Sequence, residues 1–95
     1  MFNQAKLVMK AKKLQKELAN EIIEVVAGDG AVTVRINGEQ KIKKVSIDPE
    51  LVDLDNIDEL EKWVETAVKE AITRSQEVAA EKMKPLLGGM SGLGM

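Results

Sequence analysis

From Ile57 to Lys84 the chain has neither glycine nor proline, and Ile57, Leu60, Val64, Ala67, Val68, Ala71, Ile72, Val78, Ala79 and Met83 recur at helical spacing up to Pro85. A single helix of about 28 residues is roughly 42 Å long. A compact globule of 95 residues has a radius of gyration near 12 Å and a diameter of about 32 Å. The helix therefore overhangs its own domain. Its apolar stripe covers about 140° of the helical wheel, more than a strict coiled-coil seam needs. Two partners are implied, its own sheet and something beyond it. The chain offers only one other helix and a one-sided sheet, so the second partner that asks least is another copy about a two-fold axis. The sequence predicts a homodimer with projecting helical arms.

The segments before this helix fix the rest of the architecture. Phe2 to Glu21 lacks glycine and proline, and Leu7, Ala11, Leu14 and Leu18 recur at spacings of four, three and four. These four fall within about 60° on a wheel, which makes an amphipathic helix with lysines around the rest of the cylinder. Glu21 to Ala27 is short and β-branched, and Ala31 to Ile36 alternates Val32, Val34 and Ile36 on one face; Gly28-Asp29-Gly30 between them predicts a hairpin. Asn37-Gly38 is a pair suited to positive φ and predicts a second hairpin turn, into a strand from Lys41 to Ile47. In that strand Ile42 is out of phase with Val45 and Ile47, and one extra residue at Lys43-Lys44, a bulge, restores the phase. Asp48-Pro49 ends the strand. The reading is an α+β fold, helix, three-stranded antiparallel meander, long helix (αβββα), with a mobile glycine-rich tail at 88–95.

Composition removes several classes of function. The chain has no cysteine and no histidine, which excludes disulfide scaffolding, thiol nucleophiles and imidazole chemistry. Only Phe2 and Trp63 are aromatic, too few for the stacking platforms of single-strand binders. No run is long and apolar enough to span a membrane. The net charge of -2 conceals a segregated distribution. Residues 1–20 hold Lys6, Lys10, Lys12, Lys13 and Lys16 against Glu17 alone, a net of +4; residues 35–47 are net +3; Asp48 to Glu61 is net -7. Fields follow local charge more than the total.

The lysine face of the first helix is the leading candidate site, because ammonium groups about 5 to 6 Å apart on a rigid rod can follow a phosphate backbone. Lys62 and Lys69 on one flank of the second helix, and Lys82 and Lys84 near its end, are secondary candidates. Lys41, Lys43 and Lys44 read as protection of a sheet edge. Asp53, Asp55, Asp58 and Glu59 lack the glycine and glutamate spacing of a calcium loop and read as helix-capping groups. No nucleophile, base and orienting group form a set around Asp48, and the glycines are spaced for turns, with no phosphate-loop pattern. No enzyme, metal, cofactor or small-molecule substrate is expected.

In this order the segments resemble the YbaB/EbfC family of small nucleoid-associated DNA-binding proteins. The likeness is carried by the lysine-rich first helix (KLVMKAKKLQKELA), the Glu24 to Asn37 hairpin, Val45-Ser46-Ile47-Asp48-Pro49-Glu50-Leu51, the alanine-spaced second helix running into Glu81-Lys82-Met83, and the Gly/Met tail. The chain departs from the family at Lys69, where asparagine is frequent, and in lacking most of a Gly/Met-rich leader. The resemblance implies one domain over 1–87, a tweezer-like homodimer, and binding to double-stranded DNA in the cytoplasm and nucleoid, with roles in nucleoid organisation and gene regulation. The contrasting expectation is a protein-interaction scaffold that uses its helical arms without touching nucleic acid.

Overall fold

The computed structural model describes residues 2–94 in backbone and residues 4–86 in full; the tail expected at 88–95 lies outside the fully described residues. The element order is α1 (Phe2–Asn20), β1 (Ile22–Ala27), β2 (Val32–Asn37), β3 (Ile42–Ile47) and α2 (Ile57–Gly94). The sheet is an antiparallel meander in the order β1-β2-β3, so the αβββα reading holds. Arg35 pairs with Lys44 but Ile36 pairs with Ile42. Lys43 is thus the extra residue of a bulge, and it returns Ile42 to the face of Val45 and Ile47 as the phase slip required.

Two sequence expectations are corrected. α2 continues through Pro85, because a proline within a helix removes one backbone donor without forcing the chain to stop. In the β2–β3 turn the left-handed residue is Gln40 at φ 61°, and Gly38 is not left-handed. Gly38 is needed for proximity instead. A Cβ there would lie 2.8 Å from Leu18 Cδ2 and 2.9 Å from the Leu18 carbonyl oxygen, an oxygen that accepts the Gly38 N–H at 2.8 Å. The glycine turn expected between β1 and β2 is present, with positive φ at three successive residues, Gly28, Asp29 and Gly30.

α2 lies on one face of the sheet, and the core sits between them. Val25, Val32, Val34 and Ile36 are buried against Ala67 and Ala71, ringed by Leu60, Trp63, Val64 and Val68. Each fully buried Val or Ile contributes roughly 1.5–3 kcal/mol. The two alanines, one turn apart, let the helix settle close to the strands. A helix about 10 Å wide covers two strands spaced about 4.8 Å apart. α2 accordingly packs on β1 and β2 and leaves β3 bare; Ile42, Val45 and Ile47, which share the core face by their pairing with Ile36, Val34 and Val32, stay close to half exposed.

Trp63 packs within its own domain, its indole directly over Gly28 at the β1 end, where a Cβ would come within 2.4 Å of the ring. Ile72 lies nine residues on, about 180° round the helix, on the flank away from Trp63. Ile42, Val45 and Ile47 make the uncovered apolar strip of the sheet, and Leu51, Leu54, Ile57 and Ile72 are also exposed.

The radius of gyration is 18.2 Å and the long dimension 63 Å, against about 12 Å expected for a compact chain of this length. The excess comes from the helices: α2, with 38 residues, is about 57 Å long and overhangs the sheet as expected, and α1 forms an arm beside it. α1 touches the sheet only through its last turn, where Leu18 is buried and residues 4–13 are all exposed, and it packs against α2, with Lys82 Nζ 3.8 Å from Glu21 Oε2. A satisfied polar node joins arm to body. The Ser75 hydroxyl donates to the Asn37 carbonyl at 2.6 Å and accepts from Gln40 N–H and Nε2 at 3.1 Å each. Asn37 Oδ1 accepts from the N–H groups of Glu39 and Lys41, while its Nδ2 donates to the Ala19 carbonyl.

Candidate nucleic-acid interface

α1 places its lysines by periodicity alone. Leu14 and Leu18 turn toward the rest of the protein, and Lys6, Lys10, Lys12, Lys13 and Lys16 are all exposed. Among the described residues none of the five is within salt-bridge distance of a carboxylate. Five uncompensated ammonium groups on about 15 Å of helix make a strongly cationic rod.

The candidates on α2 divide. Lys62 is exposed and has no carboxylate partner among the described residues. Lys69 Nζ lies 2.6 Å from Glu65 Oε1, and Lys84 Nζ 3.1 Å from Glu81 Oε2. Lys82 faces Glu21 across the arm. The hydrogen bond from Lys69, and after it the ammonium charge, holds the Glu65 carboxyl below its usual 4.5. Exposed pairs like these contribute little to stability, but each spends a positive charge that a phosphate could otherwise meet. The cationic surface is therefore concentrated on α1 with Lys62. The second cluster of uncompensated cations is Lys43 and Lys44 on β3, both exposed.

Asp48, Asp53 and neighbouring carboxylates sit at the other end of the molecule. Asp48 Oδ1 accepts from Glu50 N–H at 3.0 Å and Asp53 Oδ1 from Asp55 N–H at 2.9 Å, so both close turns. Asp58 and Glu59 occupy the first turn of α2, where the helix dipole favours them. No group of acidic residues among those described could hold a metal ion, and no described helix is long and apolar enough to cross a membrane.

Sequence reasoning missed the bare β3 strip. The signal was present: a third alternating strand beside a single covering helix exceeds what one helix can shield.

Comparison with known proteins points the same way. A nucleoid-associated protein of Chloroflexus aurantiacus is 42% identical over 82 residues, covering 86% of this chain and 82% of that protein. One from Dictyoglomus thermophilum is 40% identical over 85 residues, covering 90% and 82%. The crystal structure of an uncharacterized Helicobacter pylori protein superimposes with a TM-score of 0.69 over 92% of this chain and 87% of that one, at 20% identity, a likeness of fold. Residues 1–90 match the model of the YbaB/EbfC DNA-binding family, and with its αβββα fold and lysine-faced first helix the chain belongs to that family.

Proposed function

We propose that this protein binds double-stranded DNA as a homodimer, chiefly through phosphate contacts from α1, and that it contributes in this way to nucleoid organisation and gene regulation in the cytoplasm. The observation that carries the reading is the row of five uncompensated lysines on a helix that leaves the body of the domain. Lysine on phosphate supplies affinity without reading bases. The names of its relatives as nucleoid-associated proteins support the same reading.

The second copy seats on the bare apolar strip of β3. Ile42, Val45, Ile47 and Ile72 are exposed together, and a two-fold axis beside β3 sets like strip against like. Edge-to-edge strand addition is disfavoured there by the bulge and by Lys43 and Lys44, so the copies meet through faces, with their arms projecting as a pair of tweezers.

A random-sequence duplex titrated over a salt series tests the reading. A dimer engaging about six phosphates gives a slope of log affinity on log salt near -5. The variant with Lys6, Lys10, Lys13 and Lys16 changed to glutamate should remain dimeric by sedimentation and lose binding. A flat salt response, or unchanged binding by the variant, overturns the proposal. A parent that binds no duplex at all would favour the scaffold reading, for which exposed Leu7, Val8 and Met9 on α1 provide the contact surface.

A further inference from the structure

The face of the sheet opposite α2 carries charge that neither the arm nor edge protection explains. Val25, Val34 and Val45 form one row across the three strands, with Val25 and Val34 buried beneath α2. The next row, Glu24, Arg35 and Lys44, therefore faces the other way. Lys43, the bulge residue, adjoins it. Arg35, Lys43 and Lys44 are all exposed, and the only nearby carboxylate in the row is Glu24, whose Oε2 lies 3.0 Å from Arg35 Nε. The row and the bulge together are net +2.

Like charges directly opposite across an antiparallel pair destabilise it, so Arg35 facing Lys44 is an arrangement the fold tolerates without needing it. Edge protection accounts for Lys43 and Lys44 on β3. It does not account for Arg35, which is on the central strand. The hydroxyls of Thr33 and Ser46, paired in the adjoining row, extend the polar surface. The two aromatic residues of the chain, Phe2 and Trp63, belong to the helices, so this face offers bases nothing to stack on. Exposed Ile22 and Val26 of β1 share this face, but its β2–β3 side is cationic and free of aromatics and suits a run of backbone phosphates.

This surface is set apart from the distal lysines of α1, though not from Lys16, which is only two residues, about 3 Å, before Leu18. Lys6 is twelve residues before the buried anchor Leu18, about 18 Å along the helix, while Arg35 is about 7 Å down its strand from the Asn37 node. We propose that the outer sheet face, through Arg35, Lys43 and Lys44, is a second phosphate-contacting surface that holds a separate duplex segment and makes the protein a DNA bridge. This deepens the DNA reading above and rests on it.

The test is a sandwich capture. A random-sequence duplex is fixed to beads, protein is added, and retention of a second, labelled duplex is measured over a salt series for the full chain and for Lys43→Ala/Lys44→Ala. Affinity for a single duplex is measured in parallel by anisotropy. The expected result is single-duplex affinity kept within about threefold, with the salt slope of capture reduced by about 3 to 4 for the four charges removed from a dimer. Glu24→Gln, which releases Arg35, should raise capture. Capture unchanged by the double substitution overturns the inference, as does a parent that binds one duplex but retains no second. A parallel loss of affinity and capture also overturns it, since the lysines would then serve the α1 contact. A parent that binds no duplex at all fails the earlier reading itself. Thermal melts of the variants confirm that the fold is kept.

Discussion

One methyl group at Gly38 should damage the junction between arm and body. In Gly38→Ala the new Cβ meets Leu18 Cδ2 at 2.8 Å, the Leu18 carbonyl oxygen at 2.9 Å and Leu18 Cα at 3.1 Å. The first conflict could be relieved by a rotamer change. The other two are with backbone that the Gly38 N–H holds in place at 2.8 Å, so the end of α1 has to move. Overpacking of this kind costs about 1–3 kcal/mol. For a chain of 95 residues, an unfolding entropy of about 2.1 cal/mol/K per residue gives about 0.2 kcal/mol/K, and the melting temperature falls by about 5–15 °C. The measurement is a calorimetric melt at fixed protein concentration, as a double-mutant cycle with Leu18→Ala. Truncating Leu18 removes only the side-chain conflict, so Gly38→Ala should still cost more than about 1 kcal/mol in that background. If Leu18→Ala abolishes the cost, or the parent substitution lowers the melt by less than about 2 °C, the backbone argument is wrong.

Two further outcomes follow from local geometry. Gly28→Ala combines a residue at φ +63° with a Cβ 2.4 Å from the indole of Trp63; as this is the sole tryptophan, its emission should shift to the red, and unchanged emission would refute the contact. The Glu65 carboxyl lies below its usual 4.5 because of Lys69; its pair stabilises the fold fully above that value, and the contribution is lost as pH falls through the lowered pKa. In Lys69→Ala a carboxyl-carbon NMR titration should show Glu65 moving up toward its ordinary value; an unmoved midpoint would refute the assigned cause.

Much of the fold was legible because it is written in periodicity. Leu7 to Leu18, Val32 to Ile36 and Ile57 to Met83 each repeat with the spacing of their element, and the phase slip between Ile42 and Val45 placed a bulge at Lys43-Lys44, which the strand pairing narrows to Lys43. What was not legible depends on neighbours distant in sequence. Asn37-Gly38 has the composition of a left-handed turn, yet Gly38 is set by contact with Leu18, twenty residues earlier, and the left-handed role passes to Gln40, held by Ser75. The same holds for charge. Lys16 and Lys82 look alike in sequence, but only the second finds a carboxylate across the arm. The bare flank of β3 required counting helices against strands, which no single segment reveals.

The node of Asn37, Gln40 and Ser75 also acts as a fulcrum. α1 has 19 residues and reaches about 28 Å from it, so a rotation of about 10° displaces the helix tip by about 5 Å. Successive phosphates on one strand rise about 3.4 Å. Under the proposed contact, stiffness at three hydrogen-bonded side chains would decide whether the lysine row keeps step with the duplex or slips by a whole nucleotide.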